Sequence, residues 1–230
     1  MNALRILPKI CAAFRIPGHY ICGEPYGSGH INGTYAVTVD QAGQRIRYLF
    51  QCLNTSIFKD AAGLMANVEN VTRHIRRKLE STGAKDVSRR VLTLMQTHEG
   101  ACYLDDAELG FWRVYLFIEG GRTYDLLETP DQAYFAAKAF GNFQRLLADY
   151  TGPRLTETIP FFHDTVRRLE TFRQAIASDP LGRVAVAGPE IEFALSRETL
   201  AHCLLDLQAS GDIPERITHN DTKLNNVMLD

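Results

Sequence analysis

The sequence predicts an α+β fold in two lobes, an N-terminal antiparallel sheet with one helix over residues 1–119 and a mainly helical C-terminal lobe over residues 120–230. Three observations predict it. Apolar residues alternate with period two through Tyr35, Val37 and Val39, and a strand pattern returns from Arg45 to Leu53 after the turn Asp40–Gly43. Leu64, Val68, Val71, Ile75 and Leu79 recur at helical spacing between Asp60 and Ser81. Beyond Gly120-Gly121, a flexible joint and the expected lobe boundary, the composition turns helical.

The chain has 230 residues and 45% apolar content, enough to bury a large core. Its start, Met1 to Phe14, is mildly apolar but interrupted by Arg5, Pro8 and Lys9, which leaves no signal-peptide core. No apolar run reaches the length of a membrane span. Five cysteines (Cys11, Cys22, Cys52, Cys102 and Cys203) lie far apart without a C-x-x-C pair, so reduced thiols and a cytoplasmic location are expected. Net charge is −2, and the basic pairs Arg76-Arg77, Arg89-Arg90 and Arg167-Arg168 are scattered among acids. That pattern excludes a nucleic-acid footprint, and no membrane partner is expected. Oligomeric state is left open.

Further elements follow in order. Val91–Thr97 and Gly110–Glu119 read as strands, the first followed by a turn at His98–Gly100. Pro130–Tyr150 begins with proline at a helix start and repeats Ala, Phe and Leu on one face. A helix through Arg167, Arg168 and Phe172 comes next, then one helix over Pro189–Ser210 closed by Gly211.

The chemistry concentrates in two stretches. Thr218 to Leu229 contains His219-x-Asp221-x-x-x-x-Asn226, the spacing of phosphotransfer loops. In such a loop the Asp221 carboxylate takes or orients the proton of an attacking hydroxyl, and the Asn226 side-chain carbonyl, a hard oxygen, helps hold magnesium. Lys223 is placed to neutralise charge on the transferred phosphoryl group, and His219 is expected to brace the loop by hydrogen-bonding backbone. The second stretch, Pro25 to Val39, is a glycine-rich hairpin whose Gly27, Ser28, Gly29, His30 and Asn32 can lie over phosphates, because glycine lets backbone N–H groups approach closely. Asn32-Gly33 is equally an ordinary hairpin turn signal. Glu69 reads as an exposed helix charge, with pairing toward the nucleotide site as the alternative.

These residues resemble the N-acetylhexosamine 1-kinase group of the aminoglycoside-phosphotransferase-like kinases. The resemblance runs through Tyr-Gly-Ser-Gly-His-Ile-Asn at 26–32, Phe-Gln-Cys-Leu-Asn-Thr at 50–55, Trp-Arg-Val-Tyr at 112–115, Phe-Ile-Glu-Gly at 117–120, Ile-Pro-Phe-Phe-His-Asp-Thr at 159–165 and Thr-His-Asn-Asp-Thr-Lys-Leu-Asn-Asn at 218–226. It implies a two-lobed protein-kinase-like fold, ATP and Mg2+ as cofactors, and transfer of the γ-phosphoryl group to the anomeric hydroxyl of an N-acetylhexosamine, a small-molecule sugar substrate. It also implies Asp221 as catalytic base, Asn226 on the metal, and Phe117, Ile118 and Glu119 as the adenine-facing hinge. His30, His163 and Asp164 are candidate sugar contacts, although His163 and Asp164 could simply cap the following helix.

Three departures from the pattern stand out. The glycine loop is one residue longer than G-x-G-x-x-G. Where the strand should carry a phosphate-binding lysine it carries Gln51, with Leu49 against adenine on the same face. No second metal-binding aspartate follows the loop before Asp230, so little activity is expected of these 230 residues. Another small-molecule kinase and a non-catalytic nucleotide-binding protein are the rival expectations.

Overall fold

The computed structural model describes residues 3–230 except Ser28 and His30. The chain forms two compact units, one of residues 1–158 with 217–230 and one of residues 159–216.

The first unit is organised by a five-stranded antiparallel sheet: β1 (His19–Pro25), β2 (Gly33–Gln41), β3 (Gln44–Cys52), β4 (Leu104–Asp106) and β5 (Gly110–Leu116), in spatial order β1-β2-β3-β5-β4. Period-two alternation sends Val37, Val39, Tyr48, Phe50, Trp112 and Val114 to one face, where they are buried. A helix that the sequence reading did not anticipate, α1 (Leu7–Ala13), closes that face with Leu7 and Ile10, followed by Phe14. Pro8 does not break it, because it sits in the first turn, where its missing N–H would have no partner in any case. The helix lies so close to β1 that a Cβ on Gly23 would come within 2.5 Å of Leu7 Cδ1.

The predicted helix 60–81 is α2 (Ala61–Ser81), and its start follows from Asp60, whose carboxylate accepts from the Gly63 N–H at 2.8 Å. Ala61 and Met65 pack with Leu53, Cys102 and Phe111 below the sheet, while Ile75 and Leu79 reach Val91 and the end of a later helix at Leu146 and Leu147. A short helix, α3 (Val87–Arg90), follows. The expected strand 91–97 forms only isolated bridges, Leu94 with Tyr115 and Thr97 with Phe14. It extends the sheet edge beyond β4, with the Met95 N–H on Val114 O at 2.9 Å. β5 stops at Leu116 rather than Glu119: the Phe117 N–H still donates to Arg47 O, its register partner on β3, and the chain then turns away at Gly120, which takes a positive φ of 77°. The helix predicted from Pro130 is α4 (Pro130–Leu147), opened by a capping box between Thr129 and Gln132.

The second unit holds α5 (Thr165–Ser178), α6 (Gly188–Leu195) and α7 (Glu198–Ser210). The single helix expected over 189–210 is two, because side chains capture the Phe193 carbonyl: Ser196 Oγ donates to it at 3.0 Å and Arg197 Nη1 at 2.9 Å. Gly211, at φ 83°, closes α7 as expected. An Arg173–Glu198 ion pair joins α5 to α7. All five cysteines are free thiols, and no helix among the described residues is long and apolar enough to cross a membrane.

Leu7 is fully buried. Replacing Leu7 by Ala should lower unfolding free energy by about 2–5 kcal/mol in a urea titration, whereas an unchanged midpoint would show that α1 is not part of the core.

Candidate active site

The loop 218–229 is held at both ends. At its start the His219 ring stands edge-on to Phe140 and Phe143 of α4, with centroids 5.4 and 5.8 Å away. The expected hydrogen bond from His219 to backbone is absent among the described residues; the brace is aromatic packing. Asn220 then adopts a left-handed φ of 60°, a conformation asparagine tolerates, and turns the chain into Asp221. At its finish Leu229 pairs with Arg122 through two backbone hydrogen bonds of 2.8 and 2.9 Å. Asn225 Nδ2 donates to Asp125 Oδ1 at 2.9 Å, and Asp230 pairs with Arg89, which also donates to the Glu119 carbonyl. Gly121 leaves room for Met228, whose Cε would lie 2.9 Å from a Cβ there. The loop is thereby fastened to the segment that follows β5.

Within the loop, Asn226 Nδ2 donates to Asp221 Oδ2 and to the Asp221 carbonyl, both at 2.8 Å, across the single 3-10 turn Leu224–Asn226. Lys223 Nζ lies 3.5 Å from the same Oδ2. One carboxylate oxygen is clamped, while Asp221 Oδ1 accepts no hydrogen bond from another described residue. The amide clamp also turns the Asn226 Oδ1 atom away from Asp221 and leaves it open. Among the described residues no three His, Cys, Asp or Glu side chains cluster as a metal site. Magnesium fits this oxygen-donor set only as an ion that draws most of its ligands from phosphates and water, which is its usual habit.

The sheet face opposite the core supplies the second part. Register places Thr34, Gln51 and Arg113 in one row across β2, β3 and β5, and Ala36, Leu49 and Tyr115 in the next. Leu49 and Gln51 share this face, as the alternation predicts. Gln51 Nε2 donates to Thr34 Oγ1 at 3.0 Å, and Gln51 Oε1 accepts from Arg113 Nε and Nη2 at 2.9 and 2.6 Å. The loop between β1 and β2 borders that row. Gly27 takes φ 78°, and a Cβ on Gly27 or Gly29 would meet nothing within 4 Å, so the backbone there is open to a ligand. Asn32 Oδ1 accepts from the Asn54 N–H at 3.0 Å and ties down the far end. Ser28 and His30 lie outside the described residues.

In the hinge, Arg47 lies 4.0 Å over the Phe117 ring and forms an ion pair with Glu119, which holds the Glu119 carboxyl below its usual range. Tyr26 meets Phe117 edge-on, with ring centroids 5.1 Å apart. Ile118 keeps its N–H and C=O without partners among the described residues, as an adenine edge requires.

Two sequence candidates lie in the second unit. Asp164 N-caps α5, accepting from the Arg167 N–H at 3.0 Å, and His163 packs on Phe162 at 4.9 Å. Glu69 is taken by Arg73 and by the Cys102 thiol at 3.5 Å, so it makes no ion pair with a strand cation. Arg113, Arg47 and Asp125 were missed. Arg113 could have been found only from the pairing of β3 with β5.

A sheet with a glycine-rich first hairpin, a helix below it and a phosphotransfer loop fastened behind the hinge defines a kinase-like α+β fold. The chain belongs to the phosphotransferase enzyme family, whose model matches residues 23–230. Its structure is similar to that of a spectinomycin phosphotransferase in complex with ADP and spectinomycin, with a TM-score of 0.51 and 16% sequence identity. That match covers 98% of this chain and 65% of the other, so the chain spans less than two thirds of that protein's length.

Burial and the adjacent Glu69 push the Cys102 thiol up to about 11. At pH 8 only about one Cys102 in a thousand is thiolate, so iodoacetamide should modify the exposed Cys22 and Cys203 and spare Cys102. Labelling of Cys102 at the same rate would contradict the packing of α2 against the sheet.

Proposed function

We propose that this chain carries the nucleotide site and the base of an ATP- and Mg2+-dependent kinase that phosphorylates the anomeric hydroxyl of an N-acetylhexosamine. The observation that carries phosphoryl transfer is the asymmetric Asp221 carboxylate, with Oδ2 clamped by Asn226 and Lys223 and Oδ1 open. An acceptor hydroxyl hydrogen-bonded to Oδ1 would be aimed at the γ-phosphorus. Its oxygen forms the new O–P bond as the bond to the β-phosphate oxygen breaks, its proton passes to Oδ1, and ADP leaves. Magnesium, when bound through Asn226 Oδ1, supplies charge neutralisation on the phosphates. Positioning dominates this chemistry, and the loop's two anchors provide it. The sugar assignment is supported by the group-specific stretches at 26–32, 112–120 and 159–165.

A second reading, a kinase acting on a hydroxyl of an aminoglycoside-like compound, is favoured by the likeness to the spectinomycin phosphotransferase. ADP release from Mg-ATP, measured with N-acetylhexosamines and with aminocyclitol antibiotics in parallel, separates the two. Turnover confined to the antibiotics would replace the sugar reading. Asp221→Asn should reduce the rate by about 10²–10⁴-fold while nucleotide affinity is kept, and a fully active variant would refute the role of Asp221.

A further inference from the structure

Gln51 stands where a phosphate-binding strand lysine is expected, and an amide brings no charge. The sheet nevertheless has a cation at that place. None of the five strands carries a lysine, and their cations are Arg45, Arg47 and Arg113. Arg45 sits by the hairpin turn, opposite Asp40, at the far end of β3 from Gln51. Arg47 is committed to Glu119 and Phe117. Arg113 is half-buried and has no carboxylate within ion-pair distance among the described residues. It leans along the row toward the glycine loop: Gln51 accepts from its Nε and Nη2, and Nη1 lies 3.8 Å from Met65 Sδ. Thr34, the end of that row, lies one residue beyond Gly33, where the loop enters β2.

Among the described residues this half-buried guanidinium meets the neutral Gln51 carbonyl, Met65 Sδ and, at 5.3 Å, the Tyr115 ring, so it retains N–H donors and a charge that no carboxylate offsets. We propose that Arg113 is the residue that binds the α/β-phosphates of the nucleotide, taking the part of the absent lysine, and that Gln51 is a positioning residue that fixes the guanidinium. The assignment rests on the kinase reading above. The chain Thr34–Gln51–Arg113 explains why an amide suffices on β3: Nε2 is oriented by Thr34 Oγ1, so Oε1 must face Arg113. Neighbouring strands are about 4.8 Å apart, so a side chain as long as arginine reaches from β5 to the space beside β3. The planar guanidinium can then donate to two phosphate oxygens at once.

The test is equilibrium binding of ATP, ADP and adenosine to the wild-type protein and to Arg113→Met, Arg113→Lys and the double variant Gln51→Lys with Arg113→Met. Arg113→Met should weaken ATP and ADP by roughly 10–100-fold and leave adenosine unchanged, the loss expected for a charge-assisted contact. Arg113→Lys should recover part of it, and the double variant, with its cation moved to β3, should recover more than half of the lost discrimination. Unchanged ATP affinity in Arg113→Met, or equal weakening of adenosine, overturns the assignment while leaving the kinase reading intact. A wild-type protein that binds no adenine nucleotide overturns both.

Discussion

The pairing of β3 with β5 is the constraint on which the rest depends. Residues 48–52 face 112–116 in register, and a strand shows its side chains alternately to two faces. Burial of Tyr48, Phe50, Trp112 and Val114 against α1 therefore dictates that Leu49, Gln51, Arg113 and Tyr115 turn the other way. A slip of one residue would expose the core row and bury an arginine. The apolar face thus stabilises the unit and at the same time aims the polar face, without any separate device to orient it.

The same strand ends in the second anchor. After Leu116 the chain leaves the sheet through Phe117–Glu119, turns at Gly120, and pairs through Arg122 with Leu229. The segment 117–125 and the 218–229 loop are consequently neighbours joined by backbone hydrogen bonds, by Asn225–Asp125 and by Arg89, which touches both Glu119 and Asp230. These contacts are exposed and individually weak, so their value lies in geometry. They keep Asp221 and Asn226 in a fixed relation to the strand face, which the proposed phosphoryl transfer would require, since positioning and charge placement dominate that chemistry.

Much of this was legible in the sequence where the signal is local. The H-x-D-x-x-x-x-N spacing, the glycine-rich hairpin, the α+β order, α2 with Asp60 at its head and the face shared by Leu49 and Gln51 could all be read from spacing and alternation. What escaped depends on partners distant in the chain. Arg113 gains meaning only beside Gln51, 62 residues away. α1 was obscured because Pro8 was read as an interruption, although the first turn of a helix accepts proline. The break between α6 and α7 was hidden because no glycine or proline marks it; Ser196 and Arg197, both compatible with a helix interior, end the ladder by capturing the Phe193 carbonyl with their side chains. Asp164 was legible both as a sugar contact and as a helix cap, and its hydrogen bond to the Arg167 N–H is that of a cap.

In the proposed kinase, the glycine loop, the polar strand face and the 218–229 loop act on one nucleotide. A crystal structure with Mg2+ and a non-hydrolysable ATP analogue tests it most directly. The adenine should lie against Leu49 and the Ile118 backbone, the phosphates beside the β1–β2 loop and within reach of Arg113, and the γ-phosphate should face Asp221 Oδ1 with the metal on Asn226. A nucleotide bound with its phosphates away from both Arg113 and Asp221 would contradict it.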